Sequence, residues 1–271
     1  MEVSKPPSAR PKRRRAPTDP IERVNRKSDE AFITEHLRLR PRPESGSSPE
    51  PGSSSSSSRG SWTPQWTHPR PPHQQYRLGL VGAPRLSADD LRACFDLIEE
   101  TSRKDYEPSS FGWKPARKLA EMRSPDLRYI LVKTAKEGED EDAASAGSGS
   151  LCGFASLMPT YEDGQPVVYC YEIHLKPELQ RTGMGRMLMG YLEDVAASSP
   201  PITKVMLTCF LSNQHAFDFY KKLGFDVDEI SPGPRKLRHG RVFVPDYAIM
   251  SKLVSRNESA PGRTPDQLRE S

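Results

Sequence analysis

The alternation of apolar and polar residues becomes regular only near residue 76. Residues 76–81 alternate with a period of two, which predicts a short strand. Ser87 then marks a helix start, with Asp90 as a weaker capping-box partner. An apolar stripe at helical spacing follows, formed by Leu91, Phe95 and Ile98. An ordered domain is therefore predicted to open with a strand and a helix.

Apolar runs of strand length and of helix length then continue as far as residue 250. The predicted strands are 129–133, 152–158, 167–175, 205–210, 225–228 and 242–250. The predicted helices are 185–197 and 213–223, and an acidic Gly/Ser-rich stretch at 137–150 predicts a flexible hairpin loop. Because strands and helices are mixed without strict alternation, we expect an α+β (α/β mixed) fold, with a mixed central sheet and helices on both faces.

The first 75 residues are dominated by serine, proline and arginine. Residues 1–20 are predicted to be a basic disordered tail, whose run at 12–15 is either a nuclear import signal or a solvated charge cluster. Residues 21–40 could form an amphipathic helix, with Ile21, Val24, Ala31 and Phe32 on one side. Residues 41–75, like 253–271 at the other end, cannot bury enough apolar surface to offset chain entropy, so a disordered linker and tail are expected.

Charge and cysteine usage narrow the class of protein. Residues 1–75 carry 14 Lys+Arg and 8 Asp+Glu, a balance of +6, and the whole chain is 40 − 36 = +4, so residues 76–271 carry −2. A nearly neutral domain does not favour specific nucleic-acid binding. The four cysteines form no CxxC pair, which favours reduced thiols in an intracellular protein over a disulfide frame or a metal site. No apolar run predicts a membrane span or a secretion signal.

The segment with most chemical information is Tyr-Cys-Tyr-Glu-Ile-His-Leu at 169–175, followed by Gln-Arg-Thr-Gly-Met-Gly at 180–185 and an apolar helix. Gly183 and Gly185 would let the backbone approach a ligand, and free N–H groups there bind phosphate oxygens. An ordinary strand–helix turn is the alternative. Neither the dinucleotide fingerprint nor a Walker A loop is matched.

This loop resembles the Gln/Arg-x-x-Gly-x-Gly loop of GNAT acetyltransferases, and residues 213–225 resemble their Asn-x-x-Ala-x-x-x-Tyr-x-x-x-Gly-Phe pattern. Segments 106–114, 168–172 and 204–210 resemble NatD-type N-alpha-acetyltransferases, so residues 76–252 are expected to form a GNAT domain around a mostly antiparallel sheet. The resemblance implies acetyl-CoA as cosubstrate, without a metal, and an N-terminal helix near residues 21–36 that packs on the catalytic core. It also implies these coenzyme contacts: Ile173, His174, Leu175, Gln180, Arg181, Thr182, Gly183, Met184, Gly185, Arg186 and Asn213.

Glu172 is the predicted catalytic base, because a glutamate within an apolar strand is costly to bury unless it has a function. An N-terminal amine, with a pKa of about 7.7–8.0, needs only a modest base. The alternative places Glu172 on the wet face of the sheet. A backbone N–H near Ile173 is expected to stabilise the oxyanion, and Tyr220 to donate a proton to the departing thiolate.

NatD-type enzymes acetylate histones of the H-four and H-two-A types, whose tails begin Ser-Gly-Arg-Gly. The resemblance implies that the following residues contact the peptide: Tyr106, Phe111, Trp113, Glu162, Asp163, Tyr171, Thr208 and Tyr247. Glu162 and Asp163 would face the arginine, although hairpin turns are often acidic for no functional reason. Phe111 replaces a tryptophan of the family and lacks its N–H donor.

Two other functions stay open from the sequence alone. One is a GNAT enzyme that acts on lysine side chains or on other protein N-termini. The other is a catalytically weak GNAT-like module that binds histone or ribosome partners through the basic tail. For the leading interpretation we expect a monomer in nucleus and cytoplasm, with histone tails as partners, ribosome association left open and no membrane contact.

Overall fold

The computed structural model describes residues 19–37, 62–135, 149–236, 238–240 and 242–254. Their main feature is one eight-stranded sheet in the order β1-β2-β3-β4-β5-β6-β10-β7. Neighbouring strands are antiparallel except for β5 and β6, which are parallel. The strands are β1 Gln65–Thr67, β2 Gln75–Gly82, β3 Arg128–Thr134, β4 Leu151–Glu162, β5 Gln165–Leu175, β6 Lys204–Phe210, β7 Asp226–Val227 and β10 Tyr247–Leu253, with β8 Arg235–Lys236 and β9 Val242–Phe243 in a separate hairpin.

Helices cover both faces of the sheet, so the predicted fold class is confirmed. The α-helices are α1 Pro20–Asn25, α2 Asp29–Phe32, α3 Ala88–Tyr106, α4 Pro115–Met122, α5 Met184–Ser198 and α6 Gln214–Lys222. A π-helical turn, Ile33–Leu37, continues α2, and three-residue 3₁₀ turns occupy Ala83–Arg85, Pro177–Leu179 and Arg238–Gly240. Ser87 caps α3 through its hydroxyl, which accepts from the Asp90 N–H at 3.0 Å, as its position predicts.

The side chains of the sheet alternate between two buried clusters. Ile130 and Val132 of β3 pack with α1, α2 and α5, whereas Tyr129 and Leu131 pack with α3 and α4. This alternation is the period-two pattern expected of a strand covered on both sides. The four cysteines are buried free thiols. No helix among the described residues has the length and apolar character needed to cross a bilayer.

The amphipathic segment near the N-terminus packs on the core, but as two short helices and a π turn. Asp19 caps α1 and Ser28 caps α2, so the second cap interrupts what the sequence predicted as one helix. The buried side chains of this segment are Ile21, Val24, Asp29, Phe32, His36 and Leu37, whereas Ala31 is half-buried. We call residues 19–37 the N-terminal strap.

Three elements differ from the sequence prediction. β1 lies within the predicted linker 41–75, where it extends the sheet edge against β2. The eight-residue helix α4 was not predicted. The predicted strand 242–250 is two strands, because residues 244–246 leave the sheet and β9 pairs with β8 while β10 pairs with β6. Residues 1–18, 38–61, 136–148 and 255–271 lie outside the described residues, so the tail, most of the linker and the hairpin loop stay predictions.

Candidate active site

The candidate site is a gap between two parallel strands. β5 and β6 pair only through residues 168–170 and 205–207, yet β5 continues to Leu175 and β6 to Phe210. Beyond the paired residues each strand is bonded to its other neighbour, β4 or β10. The two strands therefore diverge and open a cavity of about 1320 Å³, which α3, α4, α5 and α6 border.

A β-bulge shapes the β5 side of this gap. Ser156 and Leu157 of β4 are adjacent, but their partners are Glu172 and Cys170, which leaves Tyr171 as the extra residue. A bulge turns consecutive side chains towards one face. Tyr171 and Glu172 accordingly both face the α3–α4 side, where a regular strand would have separated them.

Backbone donors of β5 point into the gap. The Lys176 N–H donates to the Cys152 carbonyl of β4 at 2.8 Å. Because backbone groups alternate along a strand, the N–H groups of Ile173 and Leu175 face the opposite edge, from which β6 has diverged. The Leu175 carbonyl on that edge accepts from Gln180 Nε2 at 3.0 Å. The Ile173 N–H is thus open towards the cavity.

The glycine turn before α5 leaves a helix N-terminus uncapped. Gly183 is the N-cap, with φ of 94° and no capping side chain. A Cβ at Gly185 would come within 3.2 Å of the Phe219 ring. The first N–H groups of a helix have no intrahelical partner, so those of Gly185 and Arg186 remain available to an anion. These donors, with the cavity-lining side chains of Arg181 and Arg186, fit the diphosphate of CoA.

Other residues predicted around the coenzyme are placed differently. The Met184 side chain is buried in the core, and the Thr182 hydroxyl donates to the Leu179 carbonyl, so neither side chain lines the cavity. Asn213 lines the cavity, but its Oδ1 caps α6 by accepting from the Ala216 N–H at 3.1 Å. The amide nitrogen of Asn213 and the second lone pair of Oδ1 are left for a ligand.

Glu172 lies in a buried network of charged groups. Its Oε1 accepts from Lys118 Nζ of α4, and its Oε2 contacts His174 Nε2, each at 2.7 Å. Burial alone would raise the pKa of Glu172, but the Lys118 ammonium and the His174 contact lower that pKa to about 2. The alternative that placed Glu172 on the wet face of the sheet is wrong, since only 9% of the residue is exposed.

This environment limits what Glu172 can do by itself. A carboxylate with a pKa of about 2 is a weak proton acceptor at neutral pH, because general bases work best with a pKa near the operating pH. Lys118 also contacts Glu121 at 2.7 Å and lies over the Tyr106 ring. Glu172 therefore provides a fixed negative charge in the cavity wall, and a base role requires a second group.

Aromatic side chains form the wall above Glu172. Tyr106 is in ring contact with Trp113 and with Phe210, at 5.6 and 4.8 Å between centroids. The Trp113 Nε1 is buried without a hydrogen-bond partner among the described residues, so this donor is free for a ligand. Across the cavity, burial raises the pKa of Tyr220 well above its ordinary value, which keeps its hydroxyl protonated.

The predicted peptide contacts divide into two groups. The cavity wall contains Tyr106, Phe111, Trp113, Glu162, Tyr171 and Thr208. Asp163 lies outside that wall, exposed in the β4–β5 turn with φ of 47°. Tyr247 also lies outside, but its ring contacts Phe111 at 5.0 Å between centroids and so supports the wall from behind.

The sequence prediction missed Lys118, Thr101 and the side chain of His174. Thr101 Oγ1 contacts His174 Nδ1 at 2.6 Å, from the far end of α3. The spacing of Lys118 could have indicated its role. It precedes Met122 by one helical turn and so lies on the buried face of α4. A lysine buried there needs an acidic partner. The partner itself is 54 residues away along the chain, a distance that periodicity does not bridge.

Comparison with known proteins agrees with this geometry. The profile of the Acetyltransferase (GNAT) family matches residues 91–225, which extend from α3 to the end of α6 and contain the whole β5–β6 gap. The fold and site thus define a GNAT domain, and residues 91–225 of the chain belong to the GNAT family. The chain is 32% identical over 186 residues to N-alpha-acetyltransferase 40 of Saccharomyces cerevisiae, across 57% of this chain and 60% of that protein. The chain therefore spans about three-fifths of that relative's length.

Solved structures show more distant likeness. The ribosomal-protein-S18-alanine N-acetyltransferase of Escherichia coli is 20% identical, covers 69% of this chain and 98% of its own, and gives a TM-score of 0.40. Spermidine N-acetyltransferase of Vibrio cholerae, in complex with CoA and spermine, is 19% identical, covers 65% and 95%, and gives 0.41. Both scores are below 0.5, so the family assignment depends on the sequence matches.

Proposed function

We propose that the chain transfers the acetyl group of acetyl-CoA to the N-terminal α-amine of a polypeptide. One observation carries the proposal: the β5–β6 gap brings together open backbone N–H groups, an uncapped helix N-terminus and the buried carboxylate of Glu172. Acetyl-CoA supplies the acetyl group as a thioester. Similarity to a protein named N-alpha-acetyltransferase 40 supports an α-amine as acceptor.

The residues around the gap have separate tasks in this reaction. The N–H groups of Gly185 and Arg186 hold the diphosphate at the positive end of the α5 dipole. The Ile173 N–H stabilises the negative charge that develops on the carbonyl oxygen when the amine attacks. The protonated Tyr220 hydroxyl donates to the sulfur as the C–S bond breaks. The fixed charge of Glu172 draws the substrate ammonium to this point.

As peptide substrate we propose histone tails that begin Ser-Gly-Arg-Gly. The rings of Tyr106, Trp113 and Phe210 contact one another in the cavity wall, and such a bulky wall would favour small first residues. Glu162 lines the cavity with an available carboxylate for the arginine, since a guanidinium pairs well with a partly desolvated acid. Phe111 keeps the apolar surface of the wall although it donates no hydrogen bond.

Acetyl transfer to two peptides, one with a free first amine and one that is blocked but carries a lysine, tests this function. We expect acetylation of a Ser-Gly-Arg-Gly peptide with a free amine and none when the first amine is blocked, even with a lysine present. Glu172→Gln separates catalysis from coenzyme binding. Turnover should fall in this variant. Acetyl-CoA binding, measured by calorimetry, should be retained, because CoA contacts the backbone of β5. Equal activity on the blocked lysine peptide would reject α-amine selectivity, and failure to bind acetyl-CoA would favour a non-enzymatic module.

A further inference from the structure

The hydrogen bonds around His174 assign its protons. The Thr101 hydroxyl contacts two atoms, the Leu97 carbonyl oxygen at 2.7 Å and His174 Nδ1 at 2.6 Å. A carbonyl oxygen only accepts, so the single hydroxyl hydrogen of Thr101 goes to Leu97. Thr101 Oγ1 must then accept from Nδ1. The Nδ1 atom of His174 therefore carries a proton, and Nε2 is the ring nitrogen that gains or loses one.

The Nε2 atom faces the carboxylate of Glu172. Oε2 lies 2.7 Å from Nε2, which is the length of a charge-assisted hydrogen bond. With one proton between them, the two atoms form that bond. Without it, two lone pairs face each other at the same distance. The pair therefore binds a single proton as a unit, and its affinity for that proton belongs to both residues together.

The groups packed around the pair determine where the proton resides. Lys118 of α4 holds the other carboxylate oxygen, and Glu121 balances part of the Lys118 charge. Thr101 and Tyr106 of α3 and the Phe154 ring of β4 lie beside the pair. Three further titratable groups interact with Glu172, namely Tyr129 of β3, Cys170 of β5 and Tyr220 of α6, and burial raises the pKa of each, so they stay neutral. Because the Lys118 ammonium favours the ionised carboxylate, a proton that enters the pair is held at Nε2.

We propose that the Glu172–His174 pair, and not Glu172 alone, accepts the proton that the substrate ammonium must lose, with His174 as the positioning residue that holds this proton. Both residues line the cavity. The ammonium gives one proton to the pair, directly or through a water, and the free amine attacks the thioester carbon. The C–N bond forms and the C–S bond breaks. Tyr220 protonates the thiolate and regains the second amine proton, and the pair returns its proton to solvent. This inference rests on the proposed acetyl transfer.

The pH dependence of kcat in His174→Gln tests the proposal. Glutamine keeps an N–H donor for Glu172 Oε2 but cannot bind a proton. In the wild type, kcat should rise with pH and then level off once the pair is deprotonated. In the variant the midpoint should shift to that of the substrate α-amine itself, about 7.7–8.0. The kcat at pH 7.5 should be lower by at least about tenfold, since a positioned base contributes about 10²–10⁴-fold.

Two substitutions of Thr101 test the pair while the His174 ring stays in place. Thr101→Ser keeps the acceptor for Nδ1–H and should retain the wild-type midpoint, whereas Thr101→Val removes it and should shift the midpoint. A plateau with an unchanged midpoint in both His174→Gln and Thr101→Val would overturn the proposal. If the wild type itself transfers no acetyl group to the peptide, the proposed function fails first, so the two failures are distinguishable.

Discussion

At the scale of single residues, Glu162 is the proposed partner of the substrate arginine. It ends β4, lines the cavity, and has no ion-pair partner among the residues that the structure describes, and burial raises its pKa. A hydrogen bond to a charged group contributes about 1.5–3 kcal/mol. Glu162→Gln should therefore raise the KM of Ser-Gly-Arg-Gly peptides by roughly 10- to 100-fold. Steady-state kinetics should show little change for Ser-Gly-Ala-Gly.

The neighbouring acid provides the control. Asp163 is exposed in the turn and does not line the cavity, so Asp163→Asn should leave both peptides unaffected. If Glu162→Gln changed the two peptides equally, the arginine would be bound elsewhere. Resemblance to the family suggested both acids as arginine contacts, but the sequence could not predict that only Glu162 lines the cavity. Their separation depends on the φ of 47° that turns Asp163 away from the end of the strand.

Sequence reasoning reached only part of the site for a related reason. The glycine turn and Glu172 lie within a short segment around β5, so their order along the chain already describes their neighbourhood. Lys118 and Thr101 come from α4 and α3, and reach Glu172 and His174 only through packing. The base strength of Glu172 depends on those distant partners. No local sequence pattern could therefore predict that the pKa of Glu172 is lowered to about 2.

At the scale of elements, the N-terminal strap contacts the β4–β5 hairpin, which contains Glu162. Asn25 Nδ2 donates to the Pro159 carbonyl at 2.9 Å, three residues before Glu162. Asp29 is buried and accepts from Arg128 of β3 and, at 3.0 Å, from the Gly82 N–H of β2. These hydrogen bonds connect the strap to three consecutive strands, β2, β3 and β4. Its sequence predicted an amphipathic helix, but the hydrogen bonds that fix the strap on the sheet could not be predicted.

Breaking the buried ion pair should unfold the chain more easily. Asp29→Ala leaves the buried Arg128 guanidinium without its carboxylate partner, which costs about 3–5 kcal/mol in comparable sites. Urea denaturation should show that loss as a lower midpoint with an unchanged slope. Glu22→Gln is the control, because its pair with Arg26 is exposed on α1 and contributes less than about 1 kcal/mol. Similar midpoints for the two variants would show that the strap does not stabilise the sheet.

The short elements explain the errors in the predicted fold. α4 has eight residues and β9 has two, lengths at which apolar periodicity gives almost no signal. β5, α5 and β6 are long and strongly patterned, and their predicted bounds agree with the structure to within two residues. The site is built on these long elements. The β5–β6 gap could therefore be located from the sequence although the edges of the sheet could not.

At the scale of the whole molecule, the cavity separates two parts of one sheet. Strands β1–β5 and strands β6, β10 and β7 are joined by the pairing of only three residues on each side. The uncapped N-terminus of α5 follows β5, whereas Asn213 and Tyr220 follow β6. A coenzyme that contacts both sides replaces strand pairing that the sheet lacks. Ligand binding should consequently stabilise the fold as a whole.

We expect CoA to raise the Tm of the chain. At about 100 times its Kd, a ligand adds about 2.7 kcal/mol, or roughly 5–10 °C for a domain of this size. Differential scanning fluorimetry with increasing CoA measures the shift. Gly185→Val should abolish it, because a Cβ at this position already approaches the Phe219 ring at 3.2 Å and a branched side chain would cover the open N–H groups. A wild-type Tm independent of CoA, or a full shift in Gly185→Val, would mean that the coenzyme is not held at the α5 turn.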